Sequence, residues 1–142
     1  MSQATLTLAE LRALMDQISF NRLLGLRLTR RHRDGVTVEC PIREEYTNLH
    51  GTLHGGVTAA LADVAAGFAV IAHAKGRPVA TVEMKLNYLA PIHGRRVTAR
   101  AHLLKAGSTL CVCSVDVLTE HRKLAAKALV TYMLLPAPLK TS

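Results

Sequence analysis

One stretch decides most of what this chain can become. From Leu53 to Ala74 it holds one acidic residue, Asp63, two histidines, and otherwise almost only alanine, glycine and apolar residues. No proline interrupts it, and alanine is the strongest helix former. Gly55-Gly56 opens the run, and Gly76, just after Lys75, fits a stop. A helix is therefore predicted from Gly55 to about Lys75. Being apolar on most sides, it must be covered by the rest of the protein. Asp63 at its middle makes it a poor membrane span, so a soluble protein without membrane attachment is expected.

The cover can be read from the flanks. Thr7 to Phe20 carries Leu8, Leu11, Leu14, Met15 and Ile18 at helical spacing, with Thr7 and Glu10 arranged as a capping box. Leu24 to Arg33 and Val36 to Ile42 read as strands, and Asp34-Gly35 between them is a hairpin signal. Arg43 to Thr52 is polar and reads as a loop. Four more strand-like runs follow, at Val79 to Leu89, Arg95 to Leu104, Thr109 to Leu118 and Leu124 to Leu135. Val97, Ala99, Ala101 and Leu103 alternate with Thr98, Arg100 and His102, giving one buried and one polar face. Short connections predict antiparallel neighbours. The sum is an α+β domain in which one curled antiparallel sheet wraps one long helix.

The chain's 142 residues suffice for a single domain over 1–142. Residues 1–20 are expected to form a helical extension and 136–142 a loose tail. The net charge of +8 points to an anionic partner: nucleic acid, an acidic surface or a phosphorylated small molecule. Cys40, Cys111 and Cys113 form no CxxC pair, and two of them share one face of a strand. Reduced thiols in a cytoplasmic protein are expected. Met1 to Glu10 lacks the basic-then-apolar pattern of a secretory signal.

Asp63 is the residue that does not belong. Its neighbours at helical spacing are Ala59, Ala60, Ala66 and Gly67, all small and none cationic. An unpaired carboxylate buried there costs several kcal/mol. It faces water, bonds a backbone N–H from elsewhere, or serves a site that something approaches closely. Val57, Leu61, Val64, Phe68 and Ile71 mark the expected core face of the same helix. Gly55-Gly56 exposes N–H groups suited to an oxyanion, or merely permits tight packing. Asn48, His50 and His54 cluster just before it. The i, i+4 histidines suit a metal but lack a third ligand at good spacing, so no metal is assigned. No G-x-S-x-G or Walker-type loop occurs.

The segment Asn48-Leu49-His50-Gly51-Thr52-Leu53-His54-Gly55-Gly56, followed by Leu61-Ala62-Asp63, resembles the signature of the PaaI-type hotdog-fold thioesterases. Thr81 to Pro91, then Gly94, resembles that family's third strand and turn, and the likeness runs from about Asn21 to Leu135. The resemblance implies a hotdog fold, a long central helix wrapped by a curved sheet. It implies a homodimer with sites at the subunit interface, often paired into a homotetramer, acting on acyl-CoA with coenzyme A as part of the substrate and no separate cofactor. Gly55 would offer its N–H to the thioester carbonyl, and His54 would help place it. Asn48 would hold the loop or the attacking water. Asp63, from the facing subunit, would act as general base or nucleophile, and Thr81, where some relatives carry Ser, would assist the water. Arg95, Arg96 and Lys105, with Gly107, Ser108 and Thr109, would hold the nucleotide end of CoA, against the alternative of a solvated charged face. The function expected is hydrolysis of an aromatic or fatty acyl-CoA. The rivals are an acyl-CoA-binding module without turnover and a nucleic-acid binder, the latter lacking any basic-aromatic RNA motif.

Overall fold

The structure, a computed structural model, describes residues 5–136. The elements run α1 (Leu8–Asp16), α2 (Ser19–Leu24), β1 (Arg27–His32), β2 (Gly35–Pro41), a 3-10 turn (Glu44–Tyr46), α3 (Gly55–His73), β3 (Val79–Tyr88), β4 (Arg96–Ala106), β5 (Leu110–Thr119) and β6 (Leu124–Leu134). All six strands join one antiparallel sheet in the order β1-β2-β4-β5-β6-β3. Helix α3 packs against five of them, β2 to β6. This is the expected α+β architecture, a long helix wrapped by a curved sheet.

Local signals did what their chemistry demands. The Thr7 hydroxyl accepts from the Glu10 N–H at 3.2 Å, and the Glu10 carboxylate accepts from the Thr7 N–H at 2.7 Å. β1 and β2 close into a hairpin with His32 opposite Gly35. Gly35 is obligatory for a second reason: any side chain there would run into the Ala101 carbonyl of β4. Gly76 adopts φ +82° after the end of α3, and its N–H returns to the Ile71 carbonyl at 3.0 Å, which satisfies an end-of-helix acceptor.

Four expectations need correction. The N-terminal helix is two helices, because the chain breaks after Asp16 and restarts at Ser19. Leu24 ends the second helix rather than starting a strand; Gly25, at φ +73°, stops it. The central helix ends at His73, two residues earlier than predicted. The short connection between β3 and β4 does not make them neighbours: β3 pairs with β6, while β4 lies between β2 and β5. The connection passes the start of α3 instead, where the Leu53 N–H donates to the Ile92 carbonyl at 2.9 Å.

A fifth correction concerns the core face of α3. Leu61 and Phe68 are buried as expected, but Val57, Val64 and Ile71 are only half-buried. The side most deeply enclosed carries Thr58, Ala62, Ala65, Ala69 and Ala72. The face that meets the sheet is thus rotated by about a quarter turn towards the alanines. Small side chains let the curled strands come close. Val57, Ala60, Val64 and Ile71 are left on a partly open apolar side.

Candidate active site

Asp63 lies in the third turn of α3, at the border between the sheet-covered and the open side. It neither points freely into water nor takes a backbone N–H. From β3, the Thr81 hydroxyl donates to Oδ1 at 2.9 Å. From β6, the Tyr132 hydroxyl donates to the same oxygen at 2.7 Å and stands 2.7 Å from the Asp63 carbonyl. Among the described residues, Oδ2 accepts nothing. The carboxylate is therefore anchored by one oxygen and open at the other.

Tyr132 is the residue that sequence reasoning missed. It sits 69 positions from Asp63, so no local spacing links them. Its ring lies over Gly67, where an added Cβ would stand 2.7 Å from the hydroxyl. A glycine one turn beyond Asp63, in a helix otherwise rich in alanine, was the available signal that something bulky arrives there. Burial above all pushes the phenol of Tyr132 up from its ordinary range. A hydrogen bond with Thr81 opposes that, and the Asp63 carboxylate reinforces it. Tyr132 is thus a protonated, donating group.

The second locus is the start of α3. His54 is the N-cap, and its Nδ1 accepts from the Gly56 N–H at 2.8 Å. The His54 carbonyl accepts from the N–H groups of Val57 and Thr58 at 3.0 and 3.3 Å. Among the described residues, the Gly55 N–H between them has no partner. Tyr88, from the end of β3, donates to the Gly55 carbonyl at 2.6 Å and lies against its Cα, where an added Cβ would press on the ring at 3.1 Å. Asn48 Oδ1 accepts from the backbone N–H groups of His50 and Thr52 at 2.9 and 3.2 Å, and Nδ2 donates to the Thr52 hydroxyl at 2.8 Å. Asn48 thus holds the loop. A cleft of about 390 Å³ opens here, lined in part by Asn48, Gly55, Thr58, Tyr88 and Ile92, and Asp63 is not in it.

Asp63 and Gly55 belong to one helix, eight residues apart. At 1.5 Å per residue that is about 12 Å, too far for both to act on one carbonyl. The basic residues divide in the same way. Arg95 and Arg96 stand at the start of β4, on the Tyr88 and Gly55 side of the sheet. Lys105, Gly107, Ser108 and Thr109 lie at its far end, about 30 Å along the strand, where the Thr109 carbonyl accepts from the Leu134 N–H, two residues beyond Tyr132. A single protomer does not gather them.

The thiols stand apart from both loci. All three are free and buried. Burial pushes Cys40 up to about 11 and Cys113 up to about 12, and raises Cys111 as well. His50 is exposed in the loop. Among the described residues, no three His, Cys, Asp or Glu side chains are grouped to hold a metal ion.

Comparison with known proteins agrees with this geometry. The Thioesterase superfamily profile matches residues 50–126, which span both the Gly55 turn and Asp63. The chain is 37% identical over 119 residues to human acyl-coenzyme A thioesterase 13, covering 82% of this chain and 85% of that protein. It is 30% identical over 130 residues to a medium/long-chain acyl-CoA thioesterase of Escherichia coli, covering 80% and 84%. Among solved structures, a thioesterase of Haemophilus influenzae superposes with a TM-score of 0.87 at 27% identity, covering 98% of this chain and 97% of that one. A zebra fish thioesterase superfamily member gives 0.81 at 32% identity, covering 92% and 100%. With the wrapped helix, the free helix-start donor and the half-open carboxylate already in place, the chain belongs to the thioesterase superfamily and is a hotdog-fold thioester hydrolase.

Proposed function

We propose that the protein hydrolyses acyl-CoA to a free acid and CoA in the manner of the PaaI-type enzymes, as a homodimer or a pair of dimers. The names of its acyl-CoA thioesterase relatives support the substrate class. One observation carries the two-copy reading: an unpartnered donor, the Gly55 N–H, and an unpartnered acceptor, Asp63 Oδ2, share one helix yet stand too far apart to meet. A second copy related by a two-fold axis brings each to the other's counterpart. The half-buried apolar side of α3 and the edge strand β3 lie beside Asp63, and both are surfaces that a second copy would cover.

In each site the Gly55 N–H, at the positive end of the helix, holds the thioester oxygen as it gains charge. Asp63 of the partner subunit acts through Oδ2. As a base it takes a proton from water while the water oxygen attacks the carbonyl carbon. Collapse of the tetrahedral intermediate breaks the C–S bond, and the proton returns to the CoA thiolate. As a nucleophile, Oδ2 attacks the carbonyl carbon and expels the CoA thiolate; water then opens the mixed anhydride, which frees the acid, restores the Asp63 carboxylate and leaves one proton for the thiolate. His54 fixes the helix start, Asn48 the loop, and Thr81 one oxygen of the carboxylate. Arg95 and Arg96 of one chain, with Lys105, Gly107, Ser108 and Thr109 of the other, hold the CoA nucleotide; pairing across the axis removes the separation found within one protomer.

The test is thiol release from a panel of fatty and aromatic acyl-CoA esters, with the parent and Asp63→Asn. The variant is expected to fold and assemble as the parent does and to lose about 10²- to 10⁴-fold in kcat. Full turnover by Asp63→Asn would refute the assignment.

A further inference from the structure

We propose that Tyr132 is a positioning residue for the reaction: its buried hydroxyl, together with that of Thr81, pins Asp63 by Oδ1 and so dedicates Oδ2 to the chemistry. This rests on the reading of Asp63 as the reacting carboxylate and adds a residue that reading does not require.

Three observations carry it. First, both donors converge on one oxygen, at 2.7 and 2.9 Å, and none reaches the other. A carboxylate with two hydroxyl donors on one oxygen has lost its freedom to rotate, so the second oxygen has a fixed direction. Second, the contact is built from three elements. Tyr132 is 5% exposed, its ring occupies the space that Gly67 of α3 leaves vacant, and its hydroxyl touches both the carboxylate and the carbonyl of Asp63. Helix position and carboxylate direction are thus read by a single hydroxyl. Third, among the described residues no cation pairs with the carboxylate. The residues of α3 beside Asp63 are Ala59, Ala60, Ala66 and Gly67. From β5, the facing titratable group is Cys113, whose Sγ lies 3.7 Å from the Ala66 carbonyl. Glu83 and Lys85 of β3 sit opposite Thr131 and Leu129, on the outer face of the sheet.

The consequence for the reaction follows from the direction that the donors impose. Holding a reacting atom in its productive geometry lowers the barrier without adding to ground-state binding. Tyr132 touches neither substrate nor the reacting oxygen, so its effect is on rate and not on binding.

The experiment measures kcat and KM for acyl-CoA hydrolysis, together with Tm, for the parent, Tyr132→Phe and Gly67→Ala. In Tyr132→Phe, kcat is expected to fall by about tenfold with KM nearly unchanged, as loss of one hydrogen bond to a charged group implies. Gly67→Ala keeps the phenol but drives it off the carboxylate, and it should lower kcat in the same way. This second variant decides the matter if Tyr132→Phe does not fold. A Tyr132→Phe enzyme with a lower Tm but unchanged kcat would overturn the proposal and leave Asp63 in its role. Retained turnover in Asp63→Asn would overturn both, and the two failures appear in different variants.

Discussion

At the scale of single residues, environment sorts chemically similar groups into different jobs. Among the described residues, the three thiols and the Asp63 carboxylate lie in or near the core, in opposite surroundings. Cys40 and Cys113 are pushed up to about 11 and about 12 by burial, with no cation strong enough to reverse it, so the nucleophilic thiolate is essentially absent near neutral pH. Native protein is expected to keep full thioesterase activity after exposure to an alkylating reagent and to show no modified cysteine by mass spectrometry until it is unfolded. Asp63, with two hydroxyl donors and one free oxygen, has the opposite environment. Its candidacy was legible in the sequence because a lone acid among alanines is conspicuous. Thr81 entered only through the family resemblance and Tyr132 not at all, because both arrive from strands, 18 and 69 positions away.

At the scale of elements, the signals that could be read early were those confined to a few residues. The Thr7–Glu10 box and the Asp34-Gly35 hairpin need only local geometry, and both stand as expected. The order of the strands does not follow from loop length, since β3 and β4 are joined by seven residues and do not pair. Nor did the largest apolar residues of α3 identify its buried side. A sheet curled closely around a helix selects for small side chains at the contact, so Ala62, Ala65 and Ala69 are enclosed while Val64 and Ile71 are half open. The same closeness appears between β2 and β4 at Gly35. Gly35→Ala places a methyl group against the Ala101 carbonyl, and backbone on both sides limits relaxation. Urea unfolding is expected to show a loss of about 1–3 kcal/mol, with activity of the folded fraction preserved because the contact is remote from Asp63.

At the scale of the whole molecule, the outer face of the sheet carries a charged groove. Arg30, Arg96, Arg100 and Arg122 line a groove of about 530 Å³ there, with Glu39 and Glu120 among them. Beside it runs a ladder of polar contacts: Arg100 to Asp34 at 2.5 Å, His102 to Asp34 at 3.0 Å, and Lys127 to Asp116 at 2.7 Å. The hydrogen bond from Arg100, and then that from His102, holds Asp34 down at about 2, against an ordinary 3.8. A carboxylate depressed in the folded state adds stability above its unfolded value, and that stability is lost as pH falls through the folded one. Asp34→Asn should therefore lower Tm modestly near neutral pH, modestly because the side chain is about half exposed. The gap from the parent should close between about pH 4 and 2 in a series of thermal melts.

The separation of Gly55 from Asp63 along one rigid rod also has a genetic corollary. If each pocket borrows its donor from one polypeptide and its acid from the other, two differently crippled chains become useful together. Hybrids of a strain-encoded pair, one lacking the acid and the other lacking the donor, concentrate both lesions in one pocket and leave its twin intact. Each hybrid thus regains one working pocket of two, about a quarter of full capacity across a mixture in which the chains pair at random.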